Sequence, residues 1–263
     1  MQKSRLLLST VVIGSLLPFT ALAQAADPNK PVTRAEFGAL VREALLNDPE
    51  MIKDAVQKLR EKQEAEAKAK AEAGLKKYHA DLHSATNPSV GPKDADVTIV
   101  EFFDYHCGYC KHMVPVLAQA IKDDPKLRVV FMEFPILSED SVLAARAALA
   151  ANRIAPDKYF TYHQALMSSK GKFEEKMLMD TAKKVGIDDA KLKAEMAKPE
   201  ITAILDKNRE ITSELGITGT PAIIMGGEIT PGAVDIETLK KMIAAVRAGK
   251  KPSSALAEET AKN

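Results

Sequence analysis

The pattern of apolar and polar residues changes twice after an apolar run near the amino terminus, at residues 6–17. Apolar positions first recur at helical spacing in residues 33–59 and then almost disappear from residues 60–77. Beyond residue 88, short continuous apolar runs typical of buried strands alternate with helical patterns. The pattern therefore predicts an amino-terminal helical region followed by an α/β domain.

Two short amphipathic helices are predicted in the amino-terminal region. Thr33 and Glu36 have the spacing of a capping box, and an apolar stripe follows at Phe37, Leu40, Val41 and Leu45. Asp48 and Pro49 are typical of a new helix start, and a second stripe follows at Ile52, Val56 and Leu59. Stripes of this size cannot form a core alone, so we expect them to be buried by self-association. This predicts a homo-oligomer formed through residues 27–84.

The charged segment at residues 60–77 is predicted to be a spacer. It consists largely of Ala, Glu and Lys, and several Glu residues precede a Lys by four positions, which favours an exposed helix. Gly74 is expected to weaken that helix. A solvated, partly disordered linker is the alternative. The Pro and Gly residues at 87–92 then mark a boundary, so we assign residues 24–85 to the amino-terminal region.

A β-α-β unit opens the second region. Residues 97–103 and 127–134 are strand-like, and residues 114–121 between them have helical spacing. A long helical stretch follows at residues 138–215, and then come a predicted hairpin at Gly226 and Gly227 and a closing helix from residue 236 to about 248. Residues 251–263 are expected to form a polar tail.

The amino terminus indicates export. Lys3 and Arg5 precede the apolar run, and small residues up to Ala23 offer a cleavage site, so residues 1–23 are predicted to be a secretory signal peptide. The run is too short to span a bilayer, and we expect a periplasmic mature protein without a membrane span. The chain has 37 Lys and Arg against 36 Asp and Glu and no Trp, which argues against nucleic-acid binding and a polybasic membrane anchor.

Cys107 and Cys110 are the only two cysteines, and they fall at the predicted start of the first α/β helix. A structural disulfide closing so short a loop would stabilise little. A zinc site with His79 and His83 stays open as an alternative, although a Pro- and Gly-containing boundary separates the two pairs. At a helix start, backbone N–H groups stabilise a Cys107 thiolate, while the more enclosed Cys110 stays protonated. Cys107 would then attack, and Cys110 would displace the mixed disulfide.

The segment VEFFDYHCGYCKHMVP, residues 100–115, resembles the active-site segment of the DsbA-like thiol:disulfide oxidoreductases. The resemblance implies an α/β thioredoxin fold with an inserted helical domain at about 138–215, within a catalytic domain at residues 86–250. Pro115 matches a kink-forming proline of that family. Thr220 and Pro221 match the loop whose cis-proline faces the cysteines and clamps the substrate.

The resemblance also assigns further residues to the site. Glu101 matches a buried acid that handles the proton of the second cysteine, the alternative being a side chain at the outer face of the strand. His106, Gly108 and Tyr109 would tune the redox pair, and a plain solvated histidine is the alternative for His106. Neither a cofactor nor a resident metal is implied.

The CGYC sequence with Thr before the proline is similar to disulfide isomerases and to the ScsC-like relatives implicated in copper tolerance, whose amino-terminal helices oligomerise. We predict a periplasmic thiol:disulfide interchange enzyme that acts as an isomerase or reductase. A DsbA-type dithiol oxidase is the alternative, and a copper- or zinc-binding module is the alternative of another class. The expected partners are exported proteins with cysteines and a membrane thiol-redox partner.

Overall fold

The computed structural model describes residues 31–260, and the predicted signal peptide lies outside the described residues. The chain divides into two compact units, Met1–Lys58 and Leu59–Asn263. This division falls earlier than residue 85, where the sequence places the end of the amino-terminal region; that domain assignment remains a prediction.

The elements in chain order are α1 (Arg34–Asn47), α2 (Glu50–Lys77), α3 (His79–Leu82), β1 (Ser89–Val90), β2 (Val97–Phe103), α4 (Gly108–Asp123), β3 (Leu127–Glu133), α5 (Glu139–Ile154), α6 (Pro156–Met167), α7 (Glu175–Lys184), α8 (Asp189–Met196), α9 (Pro199–Leu215), β4 (Ala222–Met225), β5 (Glu228–Pro231), α10 (Ile236–Arg247) and α11 (Ser253–Thr260).

Helix α1 of the first unit begins at the predicted capping box. The backbone N–H of Glu36 donates to the Thr33 hydroxyl at 3.3 Å, and the Glu36 carboxylate accepts from the Thr33 backbone at 2.9 Å. No residue of this fully described helix is buried. The large apolar side chains of this unit are exposed at Val32, Phe37, Leu40, Val41, Leu46, Met51, Ile52 and Val56. Most side chains of the two predicted stripes are therefore exposed, while Leu45 is partly buried and the exposed Leu59 belongs to the second unit.

The second unit is built on one mixed sheet. Within the described residues, five strands lie in the order β1-β3-β2-β4-β5. Strands β2 and β3 are parallel and are joined through α4, which confirms the predicted β-α-β unit, and the other neighbours are antiparallel. Gly226 and Gly227 form the β4–β5 turn with φ of 55° and 74°, a region that glycine adopts readily. Pro115 lies within α4.

Helices α5–α9 form the predicted insertion between β3 and β4. Ser138 and Asp188 cap α5 and α8 through their side chains, and Gly216 ends α9 in the left-handed conformation. Residues 253–260, within the segment expected to be a polar tail, form α11. Ala255 of α11 is buried in the main core, so the chain gains apolar contacts by continuing as a helix.

Each face of the sheet packs on its own set of helices. One face contacts α4 and the insertion, and the other is covered by Tyr78, Leu82 and the end of α9. The carboxyl-terminal end of α2, in the segment predicted to be a spacer, therefore packs against this unit. A Cβ atom at Gly74 would lie 2.7 Å from Cδ2 of Leu215, so glycine permits this close approach and is not merely a weak point of the helix. Within residues 31–260, no helix combines the length and apolarity needed to cross a membrane.

Candidate active site

Cys107 is the N-cap residue of α4, and its sulfur lies between two backbone groups. The Cys110 backbone N–H donates to Sγ of Cys107 at 3.4 Å, and the Cys107 thiol donates to the carbonyl oxygen of Thr220 at 3.2 Å. Both cysteines are free thiols, and Cys107 is 7% exposed while Cys110 is fully buried. A sulfur that already accepts an N–H at a helix start is well placed to carry negative charge.

Cys110 needs a base before it can react. Burial raises the pKa of its thiol far above the ordinary value, and the nearby Glu101 carboxyl raises it further. The thiolate of Cys110 is therefore scarce at neutral pH. The chemical step that uses Cys110 requires a group that removes its proton inside the protein.

Glu101 is placed to be that group. It lies on β2, between Phe131 of β3 and Ile223 of β4, so the strand is central and the side chain is buried. The alternative of an outward-facing side chain at the strand edge is wrong. Burial, together with the proximity of Cys107, raises the pKa of Glu101 to about 8. A carboxyl with that pKa can bind and release a proton near neutral pH, and its role as the base remains a prediction.

The Thr220 to Pro221 peptide bond is cis, as the resemblance implies. These residues lie in the loop between α9 and β4, and the Pro221 carbonyl accepts a hydrogen bond from the Gly232 backbone at 2.8 Å. The neighbouring Thr220 carbonyl oxygen is the one that accepts the hydrogen bond from the Cys107 thiol. The loop thus presents a backbone acceptor beside the reactive atom, where an extended substrate segment would pair.

His106 is tied to the insertion. Its Nε2 lies 2.7 Å from Oδ2 of Asp140 on α5, and the same carboxylate oxygen accepts the Phe173 backbone N–H at 2.9 Å. Hydrogen bonds from Ser138, His106 and the Phe173 backbone hold the pKa of Asp140 far below its usual range. His106 is therefore half-buried and hydrogen-bonded, and it is not the freely solvated histidine of the alternative. A tuning role for it remains a prediction.

The two residues between the cysteines face solvent. A Cβ atom at Gly108 would meet no described atom within 4 Å, and Tyr109 is 68% exposed. Both lie in the first turn of α4, beside the reactive sulfur. Their effect on the redox pair remains a prediction.

The sequence analysis missed Asp104, which holds the turn before the cysteines. Its buried carboxylate accepts four hydrogen bonds, from the backbone N–H groups of His106 (2.7 Å), Ile136 (2.8 Å) and Leu137 (3.0 Å) and from the Ser141 hydroxyl (2.8 Å). This carboxylate joins the cysteine turn, the exit of β3 and the start of α5. An acid directly after a buried strand is a signal that could have indicated such a role.

The four-ligand zinc site considered from the sequence is not assembled. His79 and His83 stack on each other with ring centroids 4.4 Å apart. Throughout the part of the chain that the structure describes, no group of three or more His, Cys, Asp or Glu side chains is arranged to hold a metal ion.

Known families match both regions of the chain. Residues 98–244, more than half of the sequence, match the DSBA-like thioredoxin domain. Residues 34–66 match the N-terminal domain of the copper resistance protein ScsC. Probable disulfide bond formation protein D of Bacillus anthracis is 27% identical over 170 residues, which cover 60% of this chain and 77% of that protein.

Solved structures agree with this match. A thioredoxin-like oxidoreductase from Silicibacter pomeroyi DSS-3 is 36% identical with a TM-score of 0.60 and covers 64% of this chain and 97% of its own. ScsC of Proteus mirabilis in a transitional conformation is 32% identical with a TM-score of 0.63, covering 82% and 95% respectively. The α/β thioredoxin fold with a helical insertion and a preceding helical region is thereby confirmed.

Proposed function

The chain belongs to the family of DsbA-like thiol:disulfide oxidoreductases, in its ScsC-like branch, and we propose that it rearranges or reduces disulfides of exported proteins in the periplasm. Its disulfide oxidoreductase activity follows from the family. The isomerase or reductase direction, the periplasmic location and the roles of single residues are the proposal. The predicted signal peptide supports export.

The observation that carries the proposal is the position of the Cys107 sulfur, between the Cys110 backbone N–H and the Thr220 carbonyl. A substrate segment pairs with the backbone at Thr220, and Sγ of Cys107 attacks one sulfur of the substrate disulfide. The substrate S–S bond breaks, its electron pair leaves on the second substrate sulfur, the proton released by Cys107 is available to that sulfur, and a mixed disulfide with Cys107 forms.

Two routes break the mixed disulfide and release the enzyme from its substrate. In reduction, Glu101 takes the Cys110 proton, Cys110 attacks Sγ of Cys107, and the substrate sulfur leaves as a thiolate that water protonates. In isomerisation, a substrate thiolate attacks the substrate sulfur of the mixed disulfide and Cys107 leaves as a thiolate, so no net electrons are transferred. The second route dominates when the substrate stays bound long enough for its own thiols to react.

The surface beside the cysteines suits a partly unfolded polypeptide. Tyr109, Ile136 and Leu137 are exposed apolar side chains. Asp104 binds the backbone of the last two, which keeps them next to the cysteine turn. Misfolded exported proteins expose apolar segments, so this patch supports them as the substrate class.

We propose a homo-oligomer formed through residues 27–84. The exposed stripes of α1 and the start of α2 support it, as does the match of residues 34–66 to the ScsC N-terminal domain. A second copy of the chain can bury the same apolar stripes in a symmetric interface. Several cysteine pairs would then act on one bound substrate, which favours repeated exchange over a single oxidation.

The experiment compares isomerisation of a scrambled disulfide protein with oxidation of a reduced one, using the mature full chain. We expect isomerisation by the wild type and none by Cys107→Ser. The double variant Phe37→Ser/Leu40→Ser should be monomeric in light scattering and lose isomerisation while its dithiol still exchanges, and Arg42→Ser on the same exposed helix is the matched control.

Faster oxidation than isomerisation by the wild type would favour the dithiol oxidase instead. We also propose a membrane thiol-redox partner that donates electrons from its own dithiol and so keeps Cys107 and Cys110 reduced. Stoichiometric copper or zinc that is lost in Cys107→Ser would favour the metal-binding module.

A further inference from the structure

A second buried carboxyl group lies on β3, the parallel neighbour of the strand that carries Glu101. Glu133, the last residue of β3, is buried. In the parallel register of β2 and β3, Glu101 pairs with Phe131 and Phe103 pairs with Glu133. Because side chains alternate along a strand, the two carboxyl groups project from the same face of the sheet at diagonal positions. That face packs on α4, the helix that carries the cysteines.

A chain of hydrogen bonds reaches Glu133 from the insertion. The Tyr105 hydroxyl donates to Oε1 of Glu133 at 3.2 Å and lies 3.1 Å from Nδ1 of His163 on α6. Burial lowers the pKa of His163 to about 3, so this imidazole is neutral. A neutral Nδ1–H can donate to the Tyr105 oxygen while the Tyr105 hydroxyl donates to Glu133. The orientation of Glu133 is thus fixed from one side.

The second carboxyl oxygen of Glu133, Oε2, has no hydrogen-bond partner in the part of the chain that the structure describes. Among the described residues, the buried carboxyl oxygens without a hydrogen-bond partner are Oε2 of Glu133 and Oε1 of Glu101. Both carboxyls act electrostatically on Tyr159, so the three groups share one region of the interior. Native proteins rarely leave such atoms unpaired, and these two carboxyl oxygens are the candidates for pairing in this region.

Both carboxyl groups hold their protons more tightly than an ordinary carboxyl group does. Burial raises the pKa of Glu133 well above its ordinary value; the Tyr105 hydrogen bond opposes this, and the charges of Asp104 and Glu101 add to it. The pKa of Glu101 is about 8. Once Glu101 is ionised, its charge makes loss of the Glu133 proton still harder. The titratable groups around this pair are Asp104, Tyr105, Cys107, Cys110, Tyr159 and His163.

We propose that Glu133, oriented by Tyr105 and His163, stays protonated and donates its O–H to the Glu101 carboxylate, directly or through one ordered water, as the positioning residue for proton removal from Cys110. The inference rests on the proposed function, since it concerns the step in which Cys110 resolves the mixed disulfide. Glu101 takes the proton of Cys110, and Sγ of Cys110 bonds to Sγ of Cys107. The bond from Cys107 to the substrate sulfur breaks, and its electron pair leaves with that sulfur. The Glu133 proton is never transferred to the substrate.

The test follows resolution of a mixed disulfide in the full-length mature chain across pH. Reduced protein is mixed with oxidised glutathione, quenched with acid and analysed by mass spectrometry, which separates formation of the Cys107 adduct from its resolution by Cys110. In the wild type the resolution rate should rise with pH as Glu101 ionises. Glu101→Gln should flatten this profile.

Two substitutions of Glu133 separate positioning from packing. Glu133→Leu removes the donor, so the midpoint of the resolution profile should move up by about one pH unit and the rate at pH 7 should fall about tenfold. Glu133→Gln keeps a neutral donor, so its profile should stay within about threefold of the wild type. Tyr105→Phe removes one hydroxyl and should give an intermediate shift, and it serves as the test if Glu133→Leu does not fold.

The two steps also distinguish this inference from the proposed function. If the wild type forms no Cys107 adduct, the proposed function fails. If the adduct forms normally but the midpoint is unmoved in Glu133→Leu and Tyr105→Phe, the positioning role of Glu133 is wrong. Equal shifts in Glu133→Leu and Glu133→Gln would also overturn it, because the loss of packing or charge would then explain the effect.

Discussion

The Sγ atom of Cys107 lies 3.2 Å from the carbonyl oxygen of Thr220, a residue 113 positions later in the chain. The whole helical insertion lies between these two residues in sequence, yet the fold brings them into contact. Attack on a disulfide requires a substrate sulfur close to Cys107, and Thr220 offers a backbone acceptor at that place. The account of function rests on this contact.

We predict that the two cysteines differ sharply in reactivity. The lone Cys107 of Cys110→Ser sits at a helix start, whereas the lone Cys110 of Cys107→Ser is fully buried and its pKa is raised. Because the thiolate is the reactive form, alkylation of the native Cys107→Ser variant at pH 7 should be at least ~100-fold slower than that of Cys110→Ser. Rates within a few fold of each other would show that Cys107 is not selectively activated.

We predict that Glu101→Gln changes how stability depends on pH. The pKa of Glu101 is about 8 in the folded protein against an ordinary 4.5, so the folded chain binds this proton more tightly than the unfolded chain. Its contribution is complete below about pH 4.5 and is lost as the pH rises through about 8. From pH 5 to pH 9 the wild type should therefore lose about 4 kcal/mol of stability relative to Glu101→Gln.

Chemical denaturation at both pH values checks this prediction. Substitution of the exposed Glu200 by Gln is the control and should follow the wild type. Parallel curves for Glu101→Gln and the wild type would mean that Glu101 does not change its protonation state between these pH values.

We predict that Asp104 is a structural centre of the site. Asp104→Asn removes acceptor capacity from a buried group with four donors, so it should lower the free energy of unfolding by about 2–4 kcal/mol. Ser141→Ala removes one of these bonds and should cost about 1 kcal/mol. Asp94→Asn, at an exposed position, is the control. A loss of under about 0.5 kcal/mol for Asp104→Asn would contradict the role.

We predict that a shortened chain beginning at Leu59 is a folded monomer that exchanges disulfides but does not isomerise them. It keeps Tyr78 and Leu82, which cover one face of the sheet. A chain beginning at Thr86, the start suggested by the sequence, loses both side chains and should be less stable by at least about 4 kcal/mol. Light scattering and denaturation test both chains, and an oligomer from the chain beginning at Leu59 would show that α1 and the start of α2 are not needed for the interface.

The local features of this structure could be predicted from the sequence. Strand β2, the position of Cys107 at a helix start and the capping box of α1 follow from periodicity and cap residues within a few positions of each other. The burial of Glu101 also followed, because its neighbours in the strand are large and apolar. Such features are predictable because their causes are adjacent in sequence.

The features that could not be predicted from the sequence depend on contacts between residues that lie far apart along the chain. Tyr105 contacts Glu133 across 28 positions and His163 across 58 positions, and no periodicity links them. The sequence predicts Gly74 only as a weak point of the spacer helix, because the contact with Leu215 that leaves no room for a side chain is not visible in the local pattern. Packing between elements decides these roles, so local pattern alone could not assign them.

The equilibrium of Cys107 and Cys110 against glutathione buffers, measured in the full-length mature protein with acid quenching and mass spectrometry, shows whether this pair exchanges disulfides. We predict one reversible two-electron couple, in which the ratio of disulfide to dithiol changes tenfold for about 30 mV of buffer potential. A disulfide between Cys107 and Cys110 that forms in no buffer, or that no buffer reduces, would contradict a role in disulfide interchange.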